Sequence, residues 1–111
     1  MAQSSPTLTL PVVATEALTK FRMVNIAGQV VGAGETSLGV SQCNAAIGEV
    51  APVDALGTTE VEVGAAVALG AALESDATGR AITQDSGEKV GRALKAASAA
   101  GQIIEMLLIA N

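Results

Sequence analysis

The sequence predicts a mainly β protein: a small barrel or sandwich of short strands, with one or two short helical turns and an extended N-terminal arm. Three observations carry this. From Lys20 onward, glycine recurs at 28, 32, 34, 39, 48, 57, 64, 70, 79, 87, 91 and 101, cutting the chain into strand-length segments. Thr58–Val63 alternates cleanly, with Thr59, Val61 and Val63 on one face and Glu60 and Glu62 on the other. Residues 1–18 interleave Ser, Thr and two prolines with single aliphatic residues, a pattern suited to extended backbone rather than to a packed core.

The arm comes first. Pro6 and Pro11 each remove a backbone donor, and alternating Leu8 and Leu10, followed by Val12 and Val13, give an apolar face. Ordering some fifteen residues costs on the order of 15–30 kcal/mol of backbone entropy, more than these side chains return. The arm is therefore expected to order only on a partner surface, leaving residues 19–111 as the compact domain. Deletion of residues 2–15 is expected to leave that domain folded.

Beyond the arm, strands are expected at 20–26, 29–31, 38–40, 49–54, 58–63, 66–69, 80–83, 89–94 and 102–109, with tight turns at Gly32–Gly34 and Asp76–Gly79. Alanine content places short helical turns at 44–47 and 93–100. The last segment also fits a helical stripe, but Gly101 and its isoleucines favour a strand with Ile104, Met106 and Leu108 inward. Its other face, Ile103, Leu107 and Ile109 around Glu105, is apolar enough to be covered by a second copy of the chain. A faint internal echo runs through the sequence. Gly39-Val40-Ser41 leads to Asn44–Gly48 and a strand, as Gly91-Arg92-Ala93 leads to Ala99–Gly101 and a strand. In a chain so rich in Ala and Gly, chance accounts for it equally well.

Composition narrows function. Of 111 residues, 22 are alanine and Phe21 is the one aromatic, so the core is thin and the monomer gains from association with other chains. A net charge of −5 with six scattered Lys and Arg gives no basic stripe, and stacking aromatics are lacking, which argues against nucleic-acid binding. No apolar run approaches the length of a spanning helix, and the N-terminus lacks the basic start of a signal peptide, so a soluble protein without a membrane partner is expected. The absence of histidine removes the usual general base, triad partner and metal ligand together.

No catalytic, cofactor-binding or metal-ligating residue is assigned, and no small-molecule substrate is expected. Cys43 has no activating base and reads as a small buried hydrophobe. Gly32–Ser37 lacks the lysine of a phosphate loop, with Glu35 in its place. Glu60 with Glu62, and Glu74 with Asp76, are expected to be solvated carboxylates.

The stretches Gly64–Ala81, Val90–Ala97 and Gly101–Leu108, in that order and spacing, resemble the small capsid cement, or decoration, proteins of tailed bacteriophages. The resemblance spans roughly residues 20–109. It implies a β-rich domain on the outside of the virion capsid, made in the host cytoplasm, whose partners are the major capsid protein and itself, as a homo-oligomer with a trimer favoured. It implies no active site. Its mechanism would be the bridging of adjacent capsomers, stabilising the expanded shell, with Pro6, Leu8, Leu10, Pro11, Val12 and Val13 as candidate capsid or subunit contacts. Ile103, Glu105, Leu107 and Ile109 are the candidate self-interface. A subunit of a non-viral shell and a small ligand-binding or regulatory β-barrel remain as alternatives.

Overall fold

The computed structural model describes residues 5–108. Eight strands follow in chain order: β1 (Ser5–Val13), β2 (Met23–Val24), β3 (Gly39–Ser41), β4 (Val50–Glu62), β5 (Ala72–Ser75), β6 (Ala81–Thr83), β7 (Gly91–Ala93) and β8 (Ile103–Leu108). They form one antiparallel sheet, ordered β2-β3-β4-β8-β7-β5-β6, with β1 also paired to β4. A parallel bridge between Val63 and Ala81, with the Gly64 N–H donating to the Ala81 carbonyl, ties the β6 end back to the chain just past β4. The result is a small, nearly closed barrel, because closure satisfies backbone groups that an open edge would leave unpaired.

The alternation read in the sequence is what fills the two cores. Val61, Val63, Leu73, Ile104 and Met106 line one, and Val12, Ala14, Leu18, Val24, Ala51 and Val53 the other. β4 contributes to both. Its length joins two segments expected as separate strands, at 49–54 and 58–63, through Gly57, whose positive φ lets the strand bend without ending. Ala72–Ser75 is a strand that the sequence reading missed. The expected strand at 66–69 is instead a turn holding one bridge, Val67 to Ala97.

Two further expectations are corrected. No helix occurs among the described residues, and 44–47 and 94–100 are turns. Ala45 exchanges backbone hydrogen bonds with Leu18, and Ala97 with Val67, at 2.8–3.0 Å. A four- to eight-residue segment is too short to repay helix nucleation, so these cross-chain bonds win over alanine's propensity. The arm is extended as expected, and it lies against its own chain. β1 pairs with β4 from Ser5 opposite Thr58 to Val13 opposite Val50. The Cα radius of gyration, 12.2 Å, is below the value of about 13 Å typical of a compact chain of this length, which leaves no projecting arm among the described residues.

The internal echo is a structural repeat. Val12 opposite Ala51 in β1/β4 recurs as Val61 opposite Ile104 in β4/β8, and Val24 opposite Gly39 recurs as Leu73 opposite Gly91. The Gly48 N–H donates to the Ala14 carbonyl and the Gly101 N–H to the Val63 carbonyl, each at 2.8 Å. Asn25 and Asp76 open matching turns, each side chain accepting from the backbone N–H groups two and four residues on. The two halves share β4, which is the last strand of the first and the first of the second.

Gly91 packs so closely on β8 that a Cβ there would sit 2.6 Å from the Leu107 carbonyl oxygen, and the equivalent Gly39 lies against the carbonyl of Asp54. Gly91→Ala and Gly39→Ala are each expected to lower stability by about 1–3 kcal/mol in urea unfolding, through forced separation of paired strands. Deletion of residues 2–15 strips Val12 and Ala14 from one core and unpairs half of β4, so the truncated chain is now expected to melt well below the intact protein in a thermal scan.

Candidate interaction surface

Strand alternation decides which predicted contact residues face outward. On β1, Val12 is buried against Ala51 and Val53, so it belongs to the core and not to a contact surface. Leu8, Pro11 and Val13 are exposed, and Leu10 is half-buried in a shallow apolar groove shared with Val13, Ile26 and Leu38. Register shifts on either side of Leu8 break its expected alignment with Leu10. Pro6 stands opposite Gly57.

The outer edge of β1 is poorly suited to accepting another strand. The Pro52 carbonyl accepts from the Gln42 N–H, so it points away from β1, and the Pro11–Pro52 pair is of the type whose backbone polar groups point away from each other. Pro11 therefore removes a donor from the free edge, and the neighbouring bulges twist that edge further. Side chains on the sheet face, not backbone groups at its edge, are what this surface offers a partner.

On β8 the expected sidedness holds. Ile104 and Met106 are buried and Leu108 packs on the core, while Ile103 and Leu107 are exposed. Glu105 stands directly opposite Glu60 on the outer face, where two like charges repel across the strands. Ile109 lies outside the described residues.

Several carboxylates do structural work that their sequence context hid. Glu74 is buried, not solvated; its Oε1 accepts from the Asp85 N–H and ties β5 to the loop before β7. Asp54 is buried between β1, β3 and β4, accepting from the Thr9 and Thr59 hydroxyls at 2.9 Å, and the Gln42 amide extends this network to Thr59. Glu62 is half-buried between Arg22 and Arg80, at 3.5 and 3.7 Å, and Arg80 also reaches Asp76 at 3.2 Å. Cys43 is half-buried against the second core. Long-range pairing placed these groups, and no periodicity within a strand announces it.

Asp76 is the one carboxyl with a clear shift. Burial pushes it up, but hydrogen bonds from the backbone N–H groups of Arg80 and Thr78, the Thr78 hydroxyl and the charge on Arg80 outweigh this and hold it below 3.8. A depressed folded-state value means that the ionised carboxylate stabilises the fold fully above 3.8 and that this contribution is lost as pH falls through the lower folded value. The parent protein is therefore expected to lose stability below about pH 4 more steeply than Asp76→Asn in acid titration of urea midpoints. Since Asn25 builds the same turn in the other half, Asp76→Asn keeps the turn near neutral pH. Asp76→Ala is expected to cost about 1–2 kcal/mol, from loss of the side-chain acceptor.

Among the described residues no group of three His, Cys, Asp or Glu side chains could hold a metal ion, and no helix is long and apolar enough to cross a membrane. A family model described as phage cement protein matches residues 2–108. No curated protein matches the sequence. Among solved structures, the head fiber gp8.5 N base of bacteriophage phi29 superposes with a TM-score of 0.74 at 17% identity, covering 92% of this chain and 93% of that one. At that identity the likeness establishes the fold.

Proposed function

Because this chain belongs to the phage cement protein family, we propose that it binds the outside of the phage head and bridges adjacent capsomers of major capsid protein, stabilising the expanded shell. Its role is that of a capsid-associated structural protein. The family match over nearly the whole chain is the single observation that carries this reading.

Physical features support it. A nearly closed barrel with small, apolar cores is a rigid spacer, and rigidity lets a contact made on one side transmit load to the other. Among the exposed apolar side chains, Leu8, Val13, Val50, Ile103 and Leu107 sit on strands, where neighbouring elements fix their positions. Self-association, with a trimer favoured, would use the outer strip of β8 at Ile103, Glu105 and Leu107, together with Ile109. Leu8, Leu10, Pro11 and Val13, with Pro6 at the strand's start, would face the capsid or a neighbouring subunit. Each such contact is weak, and occupancy of many equivalent sites on one shell supplies the strength.

Mixing the purified protein with expanded shells of its own phage that lack it, then pelleting and imaging by cryo-electron microscopy, tests the proposal. The expected result is saturable co-pelleting and added density at regular positions between capsomers. Failure to co-pellet with that shell would overturn it.

A further inference from the structure

The structural repeat presents the same two-stranded face twice, and the two copies differ in chemistry. In the second half, the outward pairs of β4/β8 are Glu60 opposite Glu105 and Glu62 opposite Ile103. In the first half, the equivalent pairs of β1/β4 are Pro11 opposite Pro52 and Val13 opposite Val50. Val13 and Val50 are 56% and 59% exposed. Beside them, Ile26 is 86% exposed where the matching turn carries Ala77, and Ile47 is 72% exposed on the turn leading into β4. The carboxylates flanking this patch are turned to backbone groups, Glu16 accepting from the Val30 N–H and Glu49 from the Ala46 N–H.

One fold position thus exists in a charged version, with Glu60 facing Glu105 and Glu62 ion-paired to Arg22 and Arg80, and in an apolar version on the same molecule. The second half shows that this face folds with charges on it, so the barrel itself does not require apolar side chains there. On a chain of net charge −5, an uncharged face also lacks the repulsion that would keep copies or partners apart. Resting on the capsid-binding reading above, we infer that the β1/β4 face around Val13, Val50 and Ile26 is the side that sits on the shell, against an uncharged apolar patch of the major capsid protein. The acidic β4/β8 face is not part of that contact.

Area selects the shell over a second copy as the occupant. The six residues Pro11, Val13, Ile26, Ile47, Val50 and Pro52 offer roughly 600 Å², below the about 800 Å² per partner of a stable two-body complex. A contact of that size holds poorly alone and well when many copies engage one large surface. Pro11 at the free edge of β1 further directs the contact to side chains rather than to an added strand.

The test is a double variant, Val13→Glu with Ile26→Glu, titrated in the full-length protein against expanded shells beside the parent and a Leu69→Glu control. Leu69 is an exposed apolar residue on the turn before β5, and its substitution adds the same kind of charge away from the face. Circular dichroism and thermal melting confirm that each variant is folded; Val13 is 56% exposed, so a glutamate there can reach solvent. Where the double variant does not fold, Ile26→Glu alone serves, because that side chain is almost fully in solvent. The expected result is at least tenfold weaker shell binding for the face variant and less than a twofold change for Leu69→Glu.

Binding of the folded face variant equal to the parent's overturns the assignment. So does a face variant that changes sedimentation of the free protein while shell binding persists, which would make a second copy the occupant. Failure of the parent itself to bind shells is a different result: it removes the capsid-binding reading on which the assignment rests.

Discussion

The pairing of β4 along its length is the constraint on which the rest depends. Its first part is bonded to β1 and β3 and its last part to β8, so one thirteen-residue strand runs through both cores. The buried residues Ala51 and Val53 serve one core, and Val61, with Val63 just past the strand, serves the other. Without this strand neither half closes, because each would present an unsatisfied edge and a half-covered apolar face.

A shared strand also explains how so thin a core suffices. Alanine and valine dominate the buried set, and each contributes little by burial alone. Close approach compensates in part: Gly39 and Gly91 let neighbouring strands pack onto carbonyls that a side chain would displace. Buried polar groups add direction to this packing. Asp54, Glu74 and Ser75 are buried and hydrogen-bonded, which pins strand register where weak apolar contacts would let it slip.

The repeat gives the molecule two sides built on one backbone plan. The two halves share close-packed glycines, buried aliphatic positions and the turn-opening Asn25 and Asp76. They differ at the outward positions, which carry glutamates on β4/β8 and prolines and valines on β1/β4. For the shell contact proposed above, sidedness of this kind is the property that matters.

Sequence alone determined the features that depend on neighbours along the chain: β character from glycine spacing, the inward set of β8 from alternation, and the matching of short segments to a cement-protein pattern. These are local because strand periodicity and turn chemistry are written within a few residues. Tertiary structure decided the rest. It paired β1 with β4 of its own chain, turned the alanine-rich segments into bridged turns, and buried Glu74 and Asp54 among distant donors. It also made a doubtful echo into a repeat joined through one strand. Each of these outcomes rests on hydrogen bonds between residues far apart in sequence, whose energy no local pattern records, and on register, where a shift of one residue exchanges the buried and exposed faces.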